Sequence, residues 1–281
     1  MIVLVTGATG RIGSRFMPRL LDHADHARAL VRDRARADEL ASAGVEVVVG
    51  DLRDEGALAR ALAGADAVVH LAAAFRGVAA DESVAVNEGA TIGLARAALR
   101  AGTRRFVFAS TNLVYGPGRG RPAREDDEPA PHDVAYPRSK AAAERALLEL
   151  HRADGLPVRI VRLAFVYGEG DPHLSELPRW ARDWPLHKRV HMVHHADVGQ
   201  GLLRVLTANG IDGAVYNVAD DAPITALEAL ELAGEPVDPQ AAERPLDDPW
   251  ESIVDTTRIR RELGYRPVHA TVYTAREAGA L

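Results

Sequence analysis

Three glycines, Gly7, Gly10 and Gly13, punctuate "VTGATGRIGSR" (residues 5–15) directly behind the apolar, β-branched run Ile2–Val5. A run of that composition reads as a buried strand. Beyond the glycines, Ile12, Phe16, Leu20 and Leu21 fall on one side of a helix over 12–21. The glycines therefore sit at a strand-to-helix turn, where they permit positive φ and let another surface approach the backbone. The free N–H groups and the dipole of the helix start favour an anion. Glycines at this spacing also suit a plain tight turn. Their place between a strand and a helix points to a phosphate-binding loop.

Strand-like and helix-like segments alternate along the first part of the chain. Strands are expected at 2–5, 27–31, 45–50, 66–73, 105–110 and 158–166, and helices at 12–21, 35–42, 55–64, 83–101 and from Tyr136 to about Asp154. This rhythm implies parallel strands joined by right-handed helical crossovers, an α/β doubly wound parallel sheet of the Rossmann type. After Gly168 it breaks down. Residues 168–187 are rich in Pro, Trp and charge, and 219–250 carry five prolines and many acids. A nucleotide-binding core at 1–167 and a small C-terminal substrate-binding cap at 168–281 follow, with about 190–220 able to return to the core.

The 281 residues carry a formal net charge of -6, and 47% are hydrophobic, which suits one large domain or two modest ones. The chain has no cysteine, so disulfides and thiolate metal sites are excluded. Its densest basic run, "RDRARADE" (32–39), is interleaved with acids, which argues against a nucleic-acid partner. No apolar run approaches the length of a membrane span, and the chain enters a strand without a basic leader or cleavage-site pattern. The expectation is a cytoplasmic enzyme with a small-molecule substrate and neither a nucleic-acid nor a membrane partner.

Two clusters carry candidate chemistry. Tyr136 and Lys140 are four apart, on one face of a helix that Pro137 fits in its first turn. A free phenol has a pKa of ~10, and a nearby ammonium favours the phenolate, so such a pair exchanges protons with a carbonyl or alcohol near neutral pH. By itself Tyr-x-x-x-Lys is common on exposed helix faces; its position behind the fifth strand points to catalysis. "GDLRD" (50–54) closes the third strand, where strand ends line the ligand crevice; Asp51 is placed to meet an adenine amino group, and both Asp51 and Asp54 also suit a helix N-cap. His187 and His191 have helical ligand spacing, but "RVHMVHH" alternates like a strand and meets no carboxylate before Asp197, so no metal site is expected.

In this order the motifs resemble the extended short-chain dehydrogenase/reductases of the NAD-dependent epimerase/dehydratase type. The matching stretches are "TGATGRIG" (6–13), "DAVVHLAA" (66–73), "FASTNLVYG" (108–116), "YPRSKAAAE" (136–144), "VRLAFVYGEG" (161–170), "HHADVGQGL" (194–202) and "DTTRIRRELGYRP" (255–267), nearly the whole chain. The resemblance implies a nicotinamide dinucleotide over Gly7, Thr9, Gly10, Arg11, Ile12 and Gly13, with Asp51, Leu52, Leu71, Ala72, Ala73, Asn87 and Leu163 as further cofactor contacts. It makes Tyr136 the acid/base. Lys140 tunes Tyr136 and binds the nicotinamide ribose. Thr111, four residues before the Tyr of "VYG", is the hydroxyl that bonds the reacting oxygen, and Ser110 is a packing or backbone-bonded neighbour. Tyr115 and Tyr167 are read as scaffold. Members of this group commonly dimerise through helices near 87–101 and 136–153, so a homodimer is expected.

The cofactor's form turns on the end of the second strand, where NAD-binding members usually place an acid. Here Arg32 occupies the slot, with Asp33 next. A guanidinium suits a 2′-phosphate, which favours NADP; a one-residue shift would let Asp33 serve NAD. Many nucleotide-sugar members carry an Asn where this chain has Phe165. With the short cap, Phe75, Trp180 and Trp184 suit a smaller, more apolar pocket, although the tryptophans equally suit cap core. Candidate substrate contacts are Phe75, Thr111, Asn112, Phe165 and Trp180. The expected reaction is hydride transfer between nicotinamide and a carbonyl or alcohol carbon of a sugar or sugar-like metabolite. The alternatives are a sugar epimerase that recycles bound NAD and, more remotely, a non-catalytic dinucleotide sensor. Dehydration is disfavoured because Thr111-Asn112-Leu113 lacks an acid pair.

Overall fold

The computed structural model describes residues 1–75 and 77–281. Its elements in chain order are β1 (Ile2–Thr6), α1 (Arg11–Leu21), β2 (His26–Val31), α2 (Asp38–Ser42), β3 (Glu46–Val49), α3 (Glu55–Leu62), β4 (Ala67–His70), α4 (Ala80–Val84), a π-helical turn (Ala85–Ala90), α5 (Thr91–Arg100), β5 (Arg105–Thr111), a 3-10 turn (Asn112–Tyr115) and α6 (Ala135–Asp154). Then come β6 (Val158–Leu163), β7 (Phe165–Tyr167), α7 (His173–Glu176), α8 (Pro178–Ala181), β8 (Arg189–Val190), β9 (Met192–His194), α9 (His195–Thr207), β10 (Val215–Val218), β11 (Ile224–Thr225), α10 (Ala226–Leu232), a 3-10 turn (Pro239–Glu243), α11 (Thr257–Leu263) and α12 (Val272–Glu277).

Seven strands form one sheet in the order β10-β6-β5-β4-β1-β2-β3. β1 pairs in parallel with β2 on one side and β4 on the other, with Thr6 opposite both Leu30 and His70. The strand order therefore reverses between β1 and β4, which opens a crevice at their carboxyl ends. The inner strands are buried on both faces, as parallel strands covered by helices must be. Arg28, in β2, is buried because its guanidinium donates to the Ala61 and Ala63 carbonyls at the end of α3 (2.8 and 2.7 Å). Arg159, in β6, does the same for Val205, Leu206 and Ala208 at the end of α9 (2.8–3.0 Å). Both place a cation on orphan carbonyls at the negative end of a helix dipole.

The chain divides into two compact units, one comprising Met1–Val114, Pro131–Val161 and Leu202–Val215, the other Tyr115–Ala130, Arg162–Gly201 and Tyr216–Leu281. The chain thus passes between units several times, and Leu202–Val215, within the stretch that the sequence left able to return to the core, belongs to the first unit. The first unit packs around Leu4, Val68, Leu94, Phe106, Phe108 and Ile160. The second packs around Tyr167, Leu177, Met192, Leu230 and Val272, with β7 parallel to β9 and β11 antiparallel to β8.

Three expected elements differ. The helix read at 83–101 is interrupted by the π turn, which inserts an extra residue and swings Asn87 inward to full burial. The strand read at 158–166 is two strands: at Ala164 the backbone N–H bonds Val218 (3.1 Å), and Phe165 N–H then turns to His191 (3.0 Å), so β7 leaves the large sheet for β9. The helix read at 35–42 is shortened to Asp38–Ser42, because Asp33 accepts from Ala35 N–H (2.9 Å) and holds the preceding residues in a turn.

The glycine spacing has a steric cause inside the loop. Gly7 has φ 73°, and a Cβ there would lie 2.5 Å from Ala72 N, while a Cβ on Gly13 would lie 2.1 Å from Gly7 O. Gly44 also has positive φ, at 84°, but a Cβ there meets nothing within 4 Å. Gly7→Ala is therefore expected to lower the melting temperature clearly more than Gly44→Ala, whose cost is left-handed strain alone, about 1–2 kcal/mol. Thermal melts of the two variants check this.

Candidate active site

The site is built from the side of the first unit where β1, β4 and β5 end. α6 starts at Ala135 behind Val134 and carries Pro137 in its first turn, where the missing N–H costs nothing. Lys140, one turn further on, is 2% exposed; its Nζ donates to the carbonyl of Ala109 in β5 (2.8 Å) and lies 4.5 Å over the Phe108 ring. That bond fixes α6 against the carboxyl end of β5. The helix, as the crossover from β5 to parallel β6, runs against the strand direction. Stepping back from Lys140 to Tyr136 covers ~6 Å along the helix, and stepping on from Ala109 to Thr111 covers ~6.6 Å along the strand. Tyr136 and Thr111 are thereby carried toward the same end of the sheet. Thr111 is 7% exposed, and its Oγ1 accepts from Leu113 N–H (3.2 Å), which turns the chain over the strand end.

Burial pushes the Lys140 ammonium down from 10.5 to about 7, with nearby Glu144 opposing the shift. His70 is fully buried and is pushed down to about 3, by burial first and by the Lys140 charge second. The ring is therefore neutral at physiological pH. It holds Thr6 Oγ1 at Nδ1 (2.6 Å) and Thr91 Oγ1 at Nε2 (2.8 Å), tying the residue before Gly7 to the start of α5, and it stacks on Phe108, the ring beneath Lys140 (5.7 Å, 25°).

Asn87 is the second organiser. Its Oδ1 accepts from Ala74 N–H (2.8 Å), and its Nδ2 lies within hydrogen-bond distance of Ala74 O (2.8 Å), Ser83 Oγ (3.1 Å) and Ser139 Oγ (3.2 Å). Ser139 in turn donates to the Tyr136 carbonyl (2.9 Å). The segment behind β4 is thereby fixed to α6, and Phe75 packs on Tyr136 with ring centroids 4.5 Å apart at 59°. His70 and Ser139 were present in the quoted motifs but carried no signal of their own; only the fold shows what they hold.

The loop at the start of α1 fits a dinucleotide diphosphate. Gly10, its N-cap, is exposed and supplies no side-chain cap, and the first turn holds no acidic residue, so the positive helix end faces outward without an internal anion. Thr9 and Ile12 are half-buried and Arg11 is exposed there; Leu71 and Ala72 are half-buried and Ala73 exposed behind β4. Asp51 accepts from Arg53 N (2.8 Å) and Nε (2.9 Å), and the hydrogen bond to that guanidinium lowers its carboxyl below the usual range. The helix N-cap belongs to Asp54, which accepts from Gly56 and Ala57. Leu52 packs on the core. Arg32 is exposed immediately behind β2, and Asp33 is turned onto its own loop.

Asn112 and Leu163 are buried. Ser110, expected as a packing or backbone-bonded hydroxyl, has a buried Oγ with no hydrogen-bond partner among the described residues, which leaves the packing role. In the second unit Phe165 stacks on His173 (3.8 Å, 18°), His173 meets Trp180 edge-on (6.5 Å), and both Phe165 and Trp180 pack on that unit's core. Tyr115 donates to Asn217 Oδ1 (2.8 Å), and burial raises its phenol to about 12; burial raises Tyr167 as well. His191, His194 and His195 bond the Asp220 carbonyl, the Ala280 carbonyl and the Asp171 carboxylate respectively.

A glycine loop at a sheet switch point, with a buried lysine behind a tyrosine at the end of β5, defines a dinucleotide-dependent enzyme of the short-chain dehydrogenase/reductase kind. Residues 3–219 match the model of the NAD dependent epimerase/dehydratase family, and the chain belongs to that family. It is 30% identical over 304 residues to a dTDP-glucose 4,6-dehydratase of Streptomyces antibioticus, covering 95% of this chain and 88% of the relative. It is 30% identical over 242 residues to a 4-hydroxy-2-methyl-3-oxo-4-farnesyl-3,4-dihydroquinoline-1-oxide ketoreductase of Stigmatella aurantiaca, covering 83% and 72%. Among solved structures it resembles the dTDP-glucose 4,6-dehydratase of Streptomyces venezuelae with NAD bound, at 30% identity and a TM-score of 0.80 over 99% of this chain and 97% of the other. No helix among the described residues is long and apolar enough to cross a membrane.

The buried lysine gives a pH test. The folded protein releases the Lys140 proton near pH 7, and the unfolded chain near its ordinary 10.5. Between those values the unfolded state binds more protons, so stability rises with pH across the window. Lys140→Met is expected to remove that rise and to melt no lower than the parent protein below pH 7, as melting temperatures measured from pH 6 to 10 will show.

Proposed function

We propose that the protein is a nicotinamide-dinucleotide-dependent oxidoreductase acting on a carbonyl/alcohol pair, with Tyr136, Thr111 and Lys140 as its catalytic residues. The observation that supports this reading is the Lys140–Ala109 bond, which joins the helix bearing Tyr136 to the strand bearing Thr111. A bound dinucleotide supplies the hydride donor in reduction and the acceptor in oxidation. In the reducing direction Tyr136 gives its phenolic proton to the carbonyl oxygen; in the oxidising direction it takes that proton back. Thr111 donates a hydrogen bond to the same oxygen and orients it. Lys140 favours the phenolate and is placed to hold the nicotinamide ribose. Gly7, Thr9, Gly10, Arg11, Ile12 and Gly13 would hold the diphosphate, and Asp51, Leu52, Leu71, Ala72, Ala73 and Asn87 would line the rest of the dinucleotide.

NADP is the proposed form. Arg32 stands exposed where a 2′-phosphate would arrive, and the Asp33 carboxylate is already engaged with Ala35 N–H. A homodimer through α5 and α6 belongs to the same proposal, supported by a groove lined by Ile92, Arg96, Ala146, Glu149, Leu150 and Ala153; sedimentation of an Ala146→Glu variant as a monomer is the expected result.

Stoichiometry separates oxidoreductase from epimerase. Substrate turnover with a net change at the nicotinamide absorbance band supports net hydride transfer, and conversion with none supports internal recycling. Tyr136→Phe is expected to lose about 10²–10⁴ of turnover while binding the dinucleotide as before, measured by steady-state rates and fluorescence titration. Retained turnover overturns the assignment.

A further inference from the structure

Relatives at the same identity are named for a nucleotide sugar and for a farnesylated ketone. Substrate choice therefore has to be read from the residues around Tyr136. Seven large apolar side chains among the described residues are exposed, and four of them, Phe75, Val78, Leu113 and Val134, lie on the segments that carry or contact the catalytic residues. Phe75 packs on the Tyr136 ring. Val78 follows it in the same segment. Leu113 bonds Thr111 through its N–H. Val134 is the N-cap of α6. Exposed apolar side chains on the segments that carry a reacting centre are candidates for a binding surface.

Phe75 is held in place. It follows Ala74, whose N–H and carbonyl are both bonded by the fully buried Asn87 at 2.8 Å. Asn87 also reaches Ser139, which bonds the Tyr136 carbonyl. The polar network thus positions an apolar ring beside the phenol, a surface that offers no hydrogen bond to a hydroxylated ligand and loses water when an apolar one covers it.

We propose that Phe75 is the specificity-determining residue and that the substrate class is an apolar ketone, one whose carbonyl is flanked by an aryl or hydrocarbon group, in preference to a polyhydroxylated sugar. This rests on the function proposed above. The reaction forms a C–H bond from nicotinamide hydride and an O–H bond from the Tyr136 proton, breaks the carbonyl π bond, and leaves the alcohol and the oxidised dinucleotide.

The test compares kcat/KM with NADPH for acetophenone and dihydroxyacetone, and with the oxidised dinucleotide for dTDP-glucose, in the parent protein, Phe75→Ala, Phe75→Leu and Asn87→Ala. The expected result is a preference of at least about tenfold for acetophenone over dihydroxyacetone, with the ratio falling about tenfold or more in Phe75→Ala and less in Phe75→Leu. Asn87→Ala keeps the ring but frees its backbone, and is expected to lower the same ratio. Equal or better use of dihydroxyacetone, or an unchanged ratio in Phe75→Ala, overturns the inference. Conversion of dTDP-glucose with no ketone reduced overturns it while leaving a family activity intact. Failure to bind any dinucleotide, read by fluorescence titration, removes the proposed function and the inference with it.

Discussion

One buried ammonium joins α6 to the carboxyl end of β5. Lys140 is out of water and donates to the Ala109 carbonyl, with the Phe108 face beneath it. Removing such a charge from water is costly, which is why its proton is held loosely. In exchange the helix is locked in register with β5. Tyr136 and Thr111, to which the proposed function gives the proton transfer, lie on the two elements that this bond joins.

Around this lock the structure recruits groups that do no chemistry themselves. His70 links the strand that enters the glycine loop to the helix that follows Asn87, and shares Phe108 with Lys140. Asn87 reaches its four partners because a π turn displaces it inward from a regular helix. Such turns sacrifice regular helix hydrogen bonding and recur at functional sites. Here the return is a fixed connection between the segment behind β4 and the face that bears Tyr136.

Much of this was legible in the residues. Hydrophobic runs separated by amphipathic helices announce a parallel sheet because buried strands and crossover helices have different periods. The glycine spacing announced a turn, and the Tyr136–Lys140 spacing announced a shared face. The π turn was not legible, because residues 83–101 keep an acceptable helical pattern and only tertiary hydrogen bonds favour the extra residue. The break at Ala164 was hidden in an unbroken apolar run, since pairing partners far along the chain decide where a strand changes sheet. Asp51 read as a ligand contact, and nothing in its spacing announced that Arg53, two residues on, bonds its carboxylate. Phe75 read as a pocket residue, and what fixes it, a side chain twelve positions later, has no sequence signature.

If the phenol and the ammonium act as a unit, their losses cannot be independent. The direct measurement is the single-turnover hydride-transfer rate of Tyr136→Phe, Lys140→Met and the double variant on one ketone at saturating dinucleotide. A double variant no slower than the slower single variant is the predicted result. Losses that multiply would mean that the two side chains act separately, and the lock between α6 and β5 would not be the basis of catalysis.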